Sequence, residues 1–241
     1  MTRILERLKI LEQINELNRR DPQCDLSGAD GHEYKLNPPL SVSVMEAFEK
    51  RHGVSLPEDY RFFITEIANG GAGPSYGVFP FGKQTYGSDL HDWEAEGLVG
   101  DLSKPFRHTS SWNFPKSFWD DAPASSPGTS LEADPARCKA WFDSLGTWYE
   151  AKGKHYWNRT LMNGAIPICH QGCGYLLWLV IHGQQRGFVW NDIREARLGI
   201  VPLLDKSGQS VTFSDWYMDW LDASLREVGN FPRSTAAPLW L

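Results

Sequence analysis

Two short stretches of the sequence carry residue types whose spacing could bind phosphate or a metal ion. The first, GVFPFGKQ from Gly77 to Gln84, follows most of the glycine-rich pattern that holds the phosphates of a nucleotide. That pattern requires a hydroxyl group for Mg²⁺ where this chain has Gln84, and backbone N–H groups where this chain has Pro80. The stretch therefore favours an aromatic edge strand that ends in a glycine turn over a nucleotide site.

The second stretch, CHQGC from Cys169 to Cys173, has the residue types of a metal site. A structural zinc ion needs four ligands, and His182 is the one further Cys or His nearby in the sequence. The sequence therefore favours two small buried thiols on either side of a turn that links two strands. We predict no bound metal and no cofactor.

Hydrolytic chemistry has no local signature in this chain. The seven histidines include no HExxH pair, and no serine stands in a GxSxG turn. Because catalytic triads are assembled in space, an enzyme that uses His170, His182 or scattered carboxylates stays an open alternative. A pocket lined by a buried cluster with strongly perturbed pKa values would favour it. We expect a protein that is not an enzyme.

A run of acidic residues between Asp89 and Asp101 is more informative. It holds five Asp or Glu residues, no Lys or Arg, and also Trp93, and farther along two further Asp residues directly follow Trp119. Such a run is most often a solvated loop, but acidic residues with Trp among them are also typical of a surface that binds a basic protein. Under the second interpretation the contact residues are Asp89, Asp92, Trp93, Glu94, Glu96, Trp119, Asp120 and Asp121.

The overall composition is compatible with a protein-binding role. The 241 residues carry 30 acidic and 24 basic side chains, and this net charge of −6 disfavours direct binding to nucleic acid. No apolar run reaches the length of a membrane span, and charges interrupt the first residues, unlike a secretion signal. We therefore expect a cytoplasmic protein with reduced cysteines, a monomer or weak homodimer, whose partner is a positively charged protein.

The periodicity of the apolar residues predicts the elements that carry these features. A helix is predicted at 2–19 with Ile4, Leu8, Leu11 and Ile14 on one face, and the stretch 21–39, rich in Asp, Gly, Asn and Pro, is expected to be a linker or loop. Helices first, strands in the middle and a helix last predict an α+β fold. The further helices are predicted at 43–53, 57–69, 134–151 and 213–227, and the strands at 76–81, 165–169, 175–181 and 187–190, with 82–135 irregular.

Four groups of residues, in this order along the chain, resemble the motifs of the SUKH superfamily, the proteins similar to the yeast regulator of cell-wall synthesis. The resemblance spans residues 40–228, and within it residues 120–160 are identified as an insertion. The groups are Leu56–Phe63 with Asn69–Gly71 and Gly77–Phe81; Pro105–Thr109 with Trp112 and Asn113; Gly172–Tyr175, Leu179, Val180, Gly183, Arg186–Trp190 and Asp192; and Phe213–Leu221.

The resemblance implies a central, mainly antiparallel sheet flanked by helices, to which this chain adds an N-terminal helix and a helical insertion. It divides the chain into a helix and linker (1–39), a SUKH-like domain (40–228) and a tail (229–241). Bacterial members are commonly immunity proteins, so it implies a protein that neutralises a toxin domain, often a nuclease, by masking its active site. The alternative is a non-catalytic scaffold or regulator in cell-wall or signalling pathways.

Overall fold

The computed structural model describes residues 2–86 and 89–229. It has an α+β architecture, which confirms the predicted fold class. The α-helices are α1 (Thr2–Arg20), α2 (Val42–His52), α3 (Glu58–Phe62), α4 (Pro135–Trp148), α5 (Lys154–Tyr156) and α6 (Phe213–Gly229), and π-helical turns continue α3 through Phe63–Ile67 and α4 through Tyr149–Gly153. The strands are β1 (Lys83–Tyr86), β2 (Asp89–Asp92), β3 (Ala165–His170), β4 (Leu176–Val180), β5 (Val189–Asp192) and β6 (Ile200–Pro202).

The central sheet has four antiparallel strands in the order β3-β4-β5-β6. β4 lies in its interior, and its last four residues are buried, as its apolar character on both faces predicts. Trp178 of β4 faces Trp190 of β5 across the ladder, and both indoles are buried. β6 was not predicted, because a strand of three residues is too short to show a periodic pattern.

The predicted strand at 76–81 is wrong as a regular strand, although it lies at the edge of the sheet. Val78 forms single antiparallel bridges to Cys169 of β3 and to Gly71, and Phe79 donates its N–H to the Ile168 carbonyl at 2.9 Å. Pro80 lacks the N–H that would continue the ladder. Residues 82–135 are also more regular than predicted, because β1 and β2 pair there as an antiparallel hairpin.

The closing helix α6 provides much of the aromatic core. Thr212 caps its N-terminus: the Thr212 hydroxyl oxygen accepts the Asp215 N–H at 3.2 Å, and the Asp215 carboxylate accepts the Thr212 N–H at 3.3 Å. Phe213 and Tyr217 then pack on Phe63 with ring centroids 5.1 and 4.7 Å apart. Most Trp, Tyr and Phe side chains of the central sheet and α6 are thus part of the core.

The helix predicted at 2–19 is confirmed as α1, and the structure divides its predicted apolar face between core and surface. Ile10, Ile14 and Leu17 are at most 4% exposed, and the helix packs against α6, whereas Ile4 and Leu8 are 66% and 55% exposed. Apolar residues surround more than half of this helix, and α6 covers one side of it. α1 therefore has a second apolar face that the described chain leaves open.

Residues 21–39 are irregular, as predicted, and they also pack into the core. The Tyr34 hydroxyl donates to Asp21 Oδ2 at 2.6 Å, and the N–H groups of Asp25 and Leu26 donate to the same carboxylate. Burial opposes the ionisation of Asp21, but these three hydrogen bonds outweigh it and hold its pKa below the ordinary value. The segment joins α1 to the rest of the fold, and the domain boundary at residue 39 stays a prediction.

Within the same segment, His32 is buried as a neutral ring. It is 8% exposed, accepts the Tyr34 N–H at Nδ1 (3.0 Å) and stands edge-on to Trp220 at 5.9 Å between centroids. Burial lowers the pKa of His32 to about 4, although a hydrogen bond with the Gly73 backbone and the charge of Asp30 act in the opposite direction.

The buried His32 makes the stability of the fold depend on pH. Between pH 6.5 and 4 the unfolded chain binds a proton at this ring and the folded protein does not. The contribution of His32 to the free energy of unfolding is therefore highest above pH 6.5 and falls as the pH is lowered towards 4. The expected loss is about 3 kcal/mol. His32→Asn should flatten this part of the profile in urea unfolding, and His155→Asn, at an exposed histidine, should not. An equally steep profile for His32→Asn would contradict the assignment.

Candidate partner-binding surface

The acidic loop is built on the β1–β2 hairpin, and Asp92 shapes it. Asp92 Oδ1 accepts the N–H groups of Glu94 (3.0 Å) and Ala95 (2.9 Å), and Oδ2 lies 3.0 Å from Lys83 Nζ. The hydrogen bond from Ala95 and the Lys83 ammonium lower the pKa of Asp92 below its ordinary value. The main structural role of Asp92 is therefore to cap the turn.

Two further carboxylates of the loop, Glu94 and Glu96, lie beside basic side chains. Glu94 forms an ion pair with Arg51, and its Oε1 lies 3.1 Å from His52 Nε2. Glu96 Oε2 lies 2.7 Å from His91 Nδ1, and this contact is the first cause of its lowered pKa. A stretch without Lys or Arg in the sequence is thus bordered by bases in space, and its surface is less acidic than predicted.

Trp93 corrects the predicted set of contact residues. Its side chain is 1% exposed, belongs to the main core and stands edge-on to Phe81 with centroids 5.5 Å apart. A residue at this depth cannot meet a partner on the surface of the folded protein. Trp93 instead fixes the acidic loop to the core from below, while Asp89 at the start of β2 is exposed.

The second predicted group, Trp119 to Asp121, lies where the insertion begins. Trp119 is partly buried, packs edge-to-face on Tyr156 at 4.7 Å and has the Arg197 guanidinium 4.7 Å from its ring centroid. Asp121 accepts hydrogen bonds from Lys152 Nζ at 2.6 and 2.7 Å, and this is the first cause of its lowered pKa. Asp120 is exposed. The two predicted groups are therefore held by different elements.

A buried ion pair fixes the insertion to the sheet. Arg194 donates to Asp192 through Nε (2.7 Å) and Nη2 (2.5 Å), and through Nη1 to the Tyr156 carbonyl at 2.9 Å. Asp192 and Arg194 are 8% and 7% exposed. Sequence reasoning missed this pair, because an acid and a base two residues apart after a strand have no distinctive pattern.

The insertion also presents an apolar shelf, formed by exposed aromatic side chains of α4 and its π-helical turn. Phe142 is 59% and Tyr149 42% exposed, and they border an open depression of about 560 Å³. The helical pattern that predicts an element at 134–151 does not tell whether its apolar residues are covered. The depression is lined by Phe142, Leu145, Gly146, Trp148, Tyr149, Trp157 and Glu195.

The glycine-rich stretch 77–84 is not arranged to bind phosphate. The N–H groups of Val78, Phe79 and Phe81 already donate to protein acceptors at 2.8 to 2.9 Å. A phosphate-binding loop must keep such groups free and directed at the ligand. The arrangement agrees with an edge segment that ends in the glycine turn at Gly82, whose φ is 78°.

The two cysteines of the CHQGC stretch lie in different surroundings. Cys169 is buried and its thiol lies 3.2 Å from the Pro74 carbonyl, and burial raises its pKa. Cys173 is exposed, which corrects the expectation of two buried thiols. Across residues 2–86 and 89–229, no three His, Cys, Asp or Glu side chains are grouped closely enough to hold a metal ion.

Comparison with models of protein families decides the relationship of the chain. The model of the SMI1 / KNR4 family (SUKH-1) matches residues 39–201. The chain belongs to this family. The match confirms the resemblance that the motifs indicated, and it includes the hairpin, the insertion and the central sheet as far as β6. Searches of the curated proteins and of the solved structures found no significant match. None of the helices in the described ranges has the length and apolar character of a membrane span.

Proposed function

We propose that this protein is a cytoplasmic immunity protein that binds a toxin domain and masks its active site without catalysing a reaction. The observation that carries the proposal is the family match over residues 39–201, because bacterial proteins of the SUKH superfamily commonly have this role. The toxin we propose is a nuclease or another effector that acts on nucleic acid. Such an enzyme must present a positive cleft to hold phosphate groups.

The contact surface that we propose combines the exposed carboxylates of the acidic loop and of the insertion. The ion pair of Glu94 with Arg51 is exposed, with side chains 41% and 60% accessible, and such pairs contribute little to stability. Glu94 can therefore exchange Arg51 for a basic residue of the toxin at small cost. Asp89, Glu96, Asp120 and Asp121 supply further negative charge, and Trp119 holds its part of the surface in place.

Charge reversal tests this surface. Glu94→Lys with Asp120→Lys should weaken binding to the cognate toxin domain by about tenfold or more, mainly through slower association. The pair avoids Asp92, whose replacement would also open the turn that it caps. Calorimetry at two salt concentrations gives the affinity, and we expect weaker binding by the wild type at the higher salt concentration.

Glu150→Lys is the matched control for each single reversal, because it makes the same charge change at an exposed site of the π-helical turn. Co-expression with the toxin tests the function itself, since an immunity protein protects the cell. Failure to bind and to protect would contradict the immunity role. Binding that neither substitution alters would retain the role and exclude this surface.

A further inference from the structure

The outer face of α1 is an apolar stripe with no cover in the described chain. Ile4, Leu5 and Leu8 are 66%, 61% and 55% exposed, and Leu11 is partly buried beside them. The opposite face of the same helix already packs on α6 through Ile10, Ile14 and Leu17. Apolar side chains this large and this exposed on consecutive turns indicate a surface that another helix covers.

The stripe has the spacing of a short coiled-coil seam. Ile4, Leu8, Leu11 and Asn15 follow one another at intervals of four, three and four residues. In the seven-residue repeat abcdefg of a coiled coil, Leu8 and Asn15 then occupy position a, and Ile4 and Leu11 occupy position d. Asn15 is exposed. An asparagine at a single a position is the residue by which two-stranded coiled coils select their partner number and register.

The charges beside the seam select a parallel partner. In this heptad Arg7 occupies a g position and Glu12 the following e position, the two places that face each other between parallel helices. Both are exposed, and neither forms an ion pair within the part of the chain that the structure describes. An antiparallel pairing of the same four positions would place Arg7 beside Ile14 and Glu12 beside Leu5 of the second copy, so neither charge would gain an opposite partner.

We propose that α1 is a homodimerisation helix, which forms a parallel two-stranded coiled coil with α1 of a second copy of this chain. Ile4, Leu8 and Leu11 form the seam, Arg7 and Glu12 pair between copies, and Asn15 fixes the register. The inner face stays on α6, so the fold described above does not change. A seam of four residues is too short to bury the roughly 800 Å² per partner of a standard interface. The dimer is therefore weak, and its formation depends on concentration. The proposal does not depend on toxin binding.

Sedimentation equilibrium of the full chain tests the proposal. The wild type should pass from monomer to dimer between about 10 µM and 1 mM. Leu8→Glu brings two carboxylates together at an a position and should raise the dimer dissociation constant by about tenfold or more. Arg7→Glu should weaken the dimer, and the double variant Arg7→Glu/Glu12→Arg should restore it. Because these positions are exposed, circular dichroism should show that all variants fold.

Leu131→Glu is the matched control, since Leu131 is 63% exposed on the insertion and should leave the equilibrium unchanged. Orientation is tested with Leu8→Cys in a Cys173→Ser background. A parallel pair places the two new thiols opposite each other and should give a disulfide-linked dimer on mild oxidation. A wild type that is monomeric at about 1 mM, or a dimer that Leu8→Glu leaves intact, overturns the proposal.

Discussion

Replacing Trp93 by alanine is expected to lower the free energy of unfolding by about 3–5 kcal/mol, the range for removing a large aromatic side chain from a core. The indole is 1% exposed and packs edge-on against Phe81, so its removal leaves a cavity under the acidic loop. Urea unfolding followed by circular dichroism measures the change. The result distinguishes a core residue from a surface contact, because a surface Trp would lose binding and keep stability.

Phe142→Ala is the comparison for Trp93→Ala, because Phe142 is an aromatic residue with 59% of its surface exposed. We expect it to change the free energy of unfolding by about 0.5 kcal/mol or less. If Trp93→Ala were equally mild, the loop would not depend on the core, and Trp93 would return to the set of contact residues.

Arg194→Met is expected to cost a similar 3–5 kcal/mol, for a different reason. The substitution keeps an apolar stem of similar length but leaves the Asp192 carboxylate buried without its partner. It also removes the donor to the Tyr156 carbonyl, so we expect the insertion to loosen first. Urea unfolding gives the total loss, and the fluorescence of the tryptophans in the insertion reports the local change.

The double variant Asp192→Leu/Arg194→Met separates the charge from the packing. Removing both partners leaves no buried charge, so the double variant should be destabilised by clearly less than the sum of the single variants. Lys139→Met removes one partner of an exposed pair with Asp143 and should cost about 0.5 kcal/mol or less. A loss below about 1 kcal/mol for Arg194→Met would show that the pair does not hold the insertion.

The helices were predictable because their signals lie within a few residues. The apolar residues of α6, the Thr212 side chain that caps it and Gly53 at the end of α2 are all local features of the sequence. The interior strand β4 was equally clear from its apolar run. The family motifs are short stretches in a fixed order, so the SUKH relationship was also visible before the structure.

Local sequence patterns were misleading where the structure depends on pairing with a distant segment. The segment at 76–81 has the composition of a strand, but Pro80 and its neighbours on both sides limit it to single bridges. The hairpin of β1 and β2 lacks an alternating apolar pattern, so it could not be predicted from periodicity. In both cases pairing with another segment decides the structure, and a pattern within one segment does not record its partner.

The candidate surface and α1 likewise combine features that the sequence shows locally with features that depend on distant contacts. The sequence by itself determined the fold class, the family, the acidic run from Asp89 to Asp101 and the existence of the N-terminal helix. The tertiary structure alone decided that Arg51 and Lys83 border the acidic run, that Trp93 is buried, and which face of α1 stays open. Residue order determines which side chains a short element carries, whereas burial and ion pairing depend on residues far away in the chain that fold against it.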